Sequence, residues 1–117
     1  AGEDTGVRAC RWQGGAESAF ALTFDDGFKA HYDYAYTMLE KYGIRGTFYV
    51  NSGKLVRKGQ KPLERYGFEE EFCEMGAAGH EIGSHSLTHP NLTAIDMETL
   101  RKELGQDKEN IERLLFA

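Results

Sequence analysis

The chain has 117 residues, of which 40% are hydrophobic and 12% aromatic, so it does not have the composition of an intrinsically disordered protein. Nineteen acidic residues against 14 basic ones give a formal net charge of −5, which argues against a protein that binds nucleic acid. No apolar run approaches the roughly 18 residues that a membrane span requires, and the length predicts one domain or part of one.

Two strands are predicted near the start of the chain. Residues 7–12 have the composition of a short strand and precede a Gly14-Gly15 turn. Residues 19–24 form a nearly continuous apolar run, which predicts a strand buried on both faces. We expect the Asp25-Asp26-Gly27 segment to end that strand.

Helices and strands then alternate. A helix is predicted over residues 31–42, with Tyr34, Met38 and Leu39 on its buried stripe and Gly43 as its C-cap. The following elements are a strand over 46–50, a polar loop over 51–67, a helix over 68–77, a strand over 80–85 and a helix over 97–116. The last helix has Asp96 as its predicted N-cap and a predicted apolar stripe of Met97, Leu100, Leu104, Ile111 and Leu114 or Leu115.

The order β-α-β-α-β-α predicts an α/β fold with a parallel sheet and right-handed crossovers. Three parallel strands leave exposed edges, which proteins usually avoid. The sequence also stops on a helix, where an α/β fold would continue to another strand. We therefore expect these residues to form part of a larger barrel or sheet, and we expect the open edge to favour self-association.

Two polar clusters follow predicted strands, at the edge where α/β proteins bind ligands. Asp25 and Asp26 are adjacent carboxylates, which repel each other in a low-dielectric site unless a cation neutralises them. His85 and His89 have the i, i+4 spacing that lets two imidazoles share one metal. One carboxylate and both histidines would form an open metal site, which leaves the second carboxylate as a general base.

Other interpretations of these residues remain open. Asp-Asp-Gly is also a common turn, and pairs of histidines occur on surfaces by chance. His31 is interpreted as a solvent-facing residue and His80 as a structural one. Cys10 and Cys73 are interpreted as free thiols, with a disulfide as the alternative. The basic side chains of the polar loop are interpreted as solvated, with contact to an anionic polymer as the alternative: Lys54, Arg57, Lys58, Lys61 and Arg65.

Three segments together resemble the polysaccharide deacetylase family, also called carbohydrate esterase family 4 or the NodB homology domain. They are residues 22–27 (Leu-Thr-Phe-Asp-Asp-Gly), 43–50 (Gly-Ile-Arg-Gly-Thr-Phe-Tyr-Val) and 79–92, which contains His-Ser-Leu-Thr-His. Both the order and the spacing of the segments agree with the family pattern, from about residue 9 onward.

The resemblance implies a distorted (β/α) barrel and metal-dependent removal of acetyl groups, usually N-acetyl groups, from sugars. It makes Asp25 the general base and makes Asp26, His85 and His89 the ligands of a divalent metal. Zn2+ is the expected ion, with Co2+ or another divalent ion as the alternative. The expected partner is an acetylated carbohydrate, with no nucleic acid, and the resemblance favours a secreted or extracytoplasmic location.

The family pattern continues with motifs that this sequence lacks: an Arg-x-x-x-Pro-type motif, an Asp/Trp motif and a Leu-x-His motif whose histidine is the general acid. No histidine follows His89, and Trp12 is the only tryptophan. We therefore expect residues 1–117 to be the N-terminal part of a single deacetylase domain, and the chain alone to be incomplete as an enzyme.

Three alternatives to a deacetylase would use the same metal-binding residues. The first is a noncatalytic metal-binding or glycan-binding remnant of the fold, and the second is a related amide hydrolase with a small substrate. A non-haem iron oxygenase also uses two histidines and one carboxylate, but the second aspartate and the family resemblance count against it.

Overall fold

A computed structural model describes residues 11–116, and within this range three short parallel strands form one sheet. The strands are β1 (Thr23–Asp26), β2 (Thr47–Val50) and β3 (Glu81–Ser84), and they lie side by side in the order β1-β2-β3. Both pairs of neighbours are parallel, which confirms the predicted α/β alternation. In the described range, no helix combines the length and the apolar character needed to cross a membrane.

Helices connect the strands. A π-helical segment, His31–Tyr36, runs directly into α1 (Thr37–Tyr42), which ends at Gly43 in the left-handed conformation with φ of 66°. The second and third helices are α2 (Glu69–Ala77) and α3 (Met97–Phe116), and short 3-10 turns occupy Gln13–Gly15 and Ser52–Lys54. The bounds of α2 and α3 agree with the predictions, and Asp96 is the N-cap of α3, since its Oδ1 accepts a hydrogen bond from the Thr99 amide at 2.8 Å.

The core lies between one face of the sheet and the three helices. Phe48, Val50 and Ile82 of the sheet pack with residues from every helix, namely Leu39, Phe72, Met75 and Ile111. Because side chains alternate along a strand, Thr47 and Tyr49 lie on the opposite face, where they are only half-buried. The sheet is therefore covered by helices on one face within the described residues.

The first predicted strands differ from the structure. Residues 19–22 are not a strand, and Phe20 is 80% exposed. The prediction of a strand buried on both faces is wrong, because β1 begins at Thr23 and residues 19–23 are all exposed. Of the strand predicted over 7–12, residues 7–10 lie outside the described residues, and Arg11 and Trp12 are irregular.

The stripe predicted for the first helix is wrong at two of its three positions. Tyr34 and Met38 are 75% and 54% exposed, whereas Leu39 is buried. Tyr32 and Tyr36 pack against the core instead, and with Leu39 they have the i, i+4, i+7 spacing of one helix face.

The predicted apolar stripe of α3 is wrong in its first half. Met97 and Leu104 are 60% and 46% exposed. The buried residues of this helix are Glu103, Asp107 and Ile111. Two of these are acidic, so hydrophobic periodicity did not identify which face of α3 packs on the fold.

Candidate metal centre

Asp26, His85 and His89 converge at the carboxyl end of the sheet. The Nε2 atom of His85 lies 3.3 Å from Asp26 Oδ1, and the Nε2 atom of His89 lies 3.2 Å from the same oxygen. One ligand atom from each residue lies within 4.8 Å of the other two. The structure therefore places the three predicted ligands within reach of one ion.

The parallel sheet brings these residues together. Asp26 is the last residue of β1, and His85 directly follows β3. Strand β2 lies between them, and its last residue, Val50, accepts a hydrogen bond from the His85 amide at 3.0 Å. The carboxyl ends of parallel strands meet at one edge, which is where the two polar clusters were expected.

The backbone is strained at this site. Among the described residues, four that are not glycine have positive φ, and three of them are Asp26, Ser86 and His89, with φ of 87°, 68° and 65°. Such conformations cost about 1–3 kcal/mol each and persist only where the surrounding structure imposes them. Their concentration at one edge of the sheet is typical of a functional site.

Asp26 Oδ1 is a buried oxygen without a hydrogen-bond partner. The Nε2 atoms of His85 and His89 face this oxygen, but neither makes a hydrogen bond to it with acceptable geometry. Two N or O ligands at tetrahedral angles around zinc lie about 3.3 Å apart, close to the measured separations. The donor set and the unsatisfied oxygen therefore fit a divalent cation such as zinc.

The segment from His85 to His89, here called the histidine loop, is held from the end of β2. The side-chain amide of Asn51 donates to the carbonyl oxygens of His85 and Ser86, the latter at 3.0 Å. Within the loop, Ser86 Oγ accepts from the His89 amide at 3.2 Å. Asn51 is fully buried, and its place directly after an apolar strand was the signal that could have identified it.

Two acidic residues of α3 also hold this region, and sequence reasoning missed both. Glu103 accepts from Thr88 in the histidine loop, while Asp107 accepts from the Ser52 amide at 2.8 Å and from Ser84 Oγ. Both acids are buried, at 7% and 0% exposure. Their i, i+4 spacing on the face of Ile111 was the available signal.

Asp25 lies apart from this cluster of three. It is exposed on β1, level with Tyr49 of β2 and Gly83 of β3. A Cβ atom on Gly83 would come within 2.7 Å of the Tyr49 ring, so glycine leaves room for that ring. The Tyr49 and His85 ring centroids are 6.4 Å apart.

A cavity of about 300 Å³ adjoins the histidines. Its lining combines polar residues with apolar ones: Ser84, His85, Ser86, His89, Pro90, Leu92 and Leu104. A small ligand with one polar and one apolar end suits such a lining.

The other two histidines have different environments. His80 is structural as predicted: its Nδ1 accepts from the Gly46 amide at 3.0 Å, and its Nε2 lies 2.7 Å from Glu40 Oε1. The expectation that His31 faces solvent is wrong, because its ring packs against Phe24 and Phe28. Burial lowers the pKa of His31, and the nearby charges of Asp26 and Asp25 partly oppose this effect.

Several basic side chains of the polar loop have partners. Arg57 Nε lies 3.3 Å from Glu69 Oε2, and the Arg65 guanidinium lies 4.7 Å from the centre of the Phe28 ring. Cys73 Sγ donates to the Leu114 carbonyl at 3.1 Å, whereas Cys10 lies outside the described residues.

A sequence model of the polysaccharide deacetylase family matches residues 13–116. A chitin deacetylase from Pestalotiopsis sp is 33% identical over 89 residues, which are 76% of this chain and 28% of that protein. The peptidoglycan-N-acetylmuramic acid deacetylase PdaA of Bacillus subtilis (strain 168) is 30% identical over 99 residues, 84% of this chain and 34% of that protein.

Solved structures show the same relationship. The Streptococcus pyogenes deacetylase PplD, determined in complex with acetate, superimposes with a TM-score of 0.74 at 26% sequence identity. The match covers 86% of this chain and 42% of that structure, so these residues represent part of a (β/α) barrel. The chain spans about a third of the length of the two curated relatives. With the family pattern matched over nearly all of its residues, the chain belongs to the polysaccharide deacetylase family.

Proposed function

We propose that the protein is a metal-dependent deacetylase of carbohydrates in which Asp26, His85 and His89 hold a divalent metal, Zn2+ by preference. The single observation that carries this proposal is the buried, unsatisfied Oδ1 of Asp26 facing two imidazole Nε2 atoms. The substrate is an acetylated amino-sugar chain, as the names of the chitin and peptidoglycan relatives suggest.

The metal, when bound, supplies Lewis-acid polarisation of the acetyl carbonyl. Asp26, His85 and His89 provide three protein ligands, the number that leaves room for substrate at a catalytic zinc site. Two apolar residues of the adjoining cavity, Leu92 and Leu104, provide a surface for an acetyl methyl group.

Asp25 is the proposed general base. Its carboxylate is exposed to solvent at the same end of the sheet, and a carboxylate can accept a proton from the attacking water. Asp25 is adjacent to Asp26, but it does not belong to the group of three ligand atoms. This difference in placement supports separate roles for the two aspartates.

Residues 1–117 are proposed to be the N-terminal part of one deacetylase domain in a protein that acts outside the cytoplasm. The support for the domain assignment is the family match over residues 13–116 and the fraction of each relative that the chain covers, 28% and 34%. The support for the location is the peptidoglycan in the name of one relative, a polymer that lies outside the cytoplasm.

The test is to titrate metal-free protein with zinc and, in a protein extended by the remainder of the deacetylase domain, to measure acetate release from N-acetylated chitooligosaccharides and from peptidoglycan. We expect one zinc per chain and a strong loss of affinity in His85→Ala. Asp25→Asn should keep zinc affinity and lose turnover by about 10²–10⁴-fold, the usual contribution of a general base. Glu98→Gln, on the exposed first turn of α3, is the matched control.

Unchanged zinc binding in His85→Ala would refute the ligand assignment. An equal loss of zinc in Asp25→Asn would mean that the two aspartates share or exchange their roles. Zinc binding by an extended protein without acetate release from any acetylated substrate would favour the noncatalytic alternative.

A further inference from the structure

Glu103 of α3 makes three hydrogen bonds to the middle of the histidine loop. Its Oε2 accepts from the Thr88 amide at 2.9 Å, and its Oε1 accepts from Thr88 Oγ1 at 2.7 Å. Its main-chain carbonyl accepts from the Leu87 amide at 3.0 Å. Leu87 and Thr88 lie between the two candidate ligands, so Glu103 holds the middle of the loop, while Asn51 holds its beginning.

The bonds to Thr88 use both oxygens of a carboxylate that is only 7% exposed. Burying a carboxylate costs free energy unless its oxygens accept hydrogen bonds. Here each oxygen of Glu103 accepts one from Thr88, and hydrogen bonds to an ionised acceptor are stronger than neutral ones. Residue 103 thus occupies a position where a hydrophobic side chain would pack but could not hold Thr88.

The loop needs such an anchor because its backbone is strained. His89 directly follows Thr88 and has φ of 65°, and Ser86 has φ of 68°. A non-glycine residue leaves this conformation unless neighbouring bonds over-determine it. Release of Thr88 would let His89 relax to negative φ, which would turn its imidazole away from Asp26.

We propose that Glu103 is a positioning residue that holds His89 in the orientation required for metal binding. This inference rests on the proposed function, because it assigns Glu103 a role toward the ion held by Asp26, His85 and His89. Glu103 acts through Thr88 and does not touch the ion or the substrate.

The first experiment measures zinc affinity by competition with a chromophoric chelator. Glu103→Met keeps a side chain of similar length but removes both acceptors for Thr88, and Thr88→Val removes the hydroxyl from the other side of the same contact. We expect each change to weaken zinc binding by about 10–100-fold, the usual effect of disturbing the partners that orient metal ligands. Thr88→Ser keeps the hydroxyl and should stay close to the wild type.

Two controls on α3 separate positioning from stability. Ile111→Val removes a methylene from the core without touching the histidine loop, and it should lower the melting temperature while zinc affinity stays unchanged. Glu109→Met makes the same chemical change as Glu103→Met at an exposed site, and it should alter neither property. A Glu103→Met protein with wild-type zinc affinity would overturn the inference, whatever its melting temperature.

The second experiment follows amide hydrogen exchange in the metal-free protein. In Glu103→Met the Thr88 amide should exchange faster, because it loses its side-chain acceptor. The Leu87 amide should stay protected, because its acceptor is the main-chain carbonyl of residue 103. Unchanged protection of Thr88 would overturn the inference. Absence of zinc binding by the wild-type protein would instead refute the proposed function, and exchange at Thr88 would still decide whether Glu103 holds the loop.

Discussion

At the scale of single residues, the candidate site depends on close backbone approaches that side chains would prevent. Gly53, in the turn after β2, donates its amide hydrogen to the Leu87 carbonyl at 2.9 Å. A Cβ atom at this position would lie 2.6 Å from the same carbonyl oxygen. Only glycine allows the turn after β2 to support the histidine loop at this distance.

Gly53→Ala should therefore weaken zinc binding, because the methyl group pushes Leu87, and with it the histidine loop, away from β2. The measurement is a zinc titration of metal-free protein, with Gly105→Ala as the control. A Cβ at Gly105 meets nothing within 4 Å, so that variant should bind zinc like the wild type. Equal affinities in the two variants would show that the contact between Gly53 and Leu87 does not support the site.

His31 should make the fold less stable in mild acid. Burial lowers the pKa of folded His31 below the 6.5 of an ordinary histidine, so the unfolded chain takes up a proton first as the pH falls. The contribution of His31 to the free energy of unfolding therefore decreases from about pH 7 downward, until the folded state is also protonated.

His31→Phe keeps an aromatic ring beside Phe24 and Phe28 and removes the titration. Its melting temperature should fall less than that of the wild type between about pH 7.5 and about pH 5.5. If the melting temperatures of the two proteins changed equally with pH, His31 would have the same pKa in the folded and unfolded states.

At the scale of secondary-structure elements, α3 combines two functions. Its Ile111 contributes to the core, and its Glu103 and Asp107 receive donors from the loops that follow β2 and β3. The helix continues through Gly105, which lies between these two acids on the exposed side. Glycine inside a helix lowers stability because the unfolded chain gains more backbone freedom there.

Gly105→Ala should raise the free energy of unfolding by about 1 kcal/mol, because the position is exposed and a Cβ meets nothing there. Urea-induced unfolding followed by circular dichroism measures this change. A decrease in stability would mean that the backbone at residue 105 requires glycine for a reason beyond helix propensity.

At the scale of the whole molecule, helices of the described residues cover one face of the sheet, while its second face and its two outer edges are not covered. Within residues 11–116, the outer edges of β1 and β3 have no strand partner, and Tyr49 on the second face is only half-buried. The cavity beside His89 adds two partly exposed leucines, Leu92 and Leu104, at 39% and 46%. Unpaired edges next to apolar side chains favour association.

We expect the 117-residue chain to associate reversibly as its concentration rises, as measured by light scattering. The double variant Leu92→Lys with Leu104→Lys should shift this equilibrium toward the monomer, because it places charge in the apolar part of the cavity. Gln106→Lys adds charge at an exposed polar position of α3 and is the control. A wild-type chain that stays monomeric at every concentration would contradict the prediction.

Much of the fold and of the candidate site was predictable from sequence. The alternation of strands and helices, the bounds of α2 and α3 and the caps at Gly43 and Asp96 follow from local patterns, and the structure agrees with them. Parallel strands deliver their carboxyl ends to one edge, which was sufficient to group one of the two aspartates with His85 and His89. The family resemblance then selected Asp26 as the ligand.

The faces of the helices and the support of the site were decided by tertiary structure. Glu103 and Asp107 occupy buried positions although a hydrophobic pattern assigns such positions to apolar side chains. Their burial is favourable only because backbone and hydroxyl donors of distant loops meet them, and no local pattern records that meeting. Likewise, Ser86 and His89 have positive φ in a loop that distant residues hold, Asn51 from the end of β2 and Glu103 from α3.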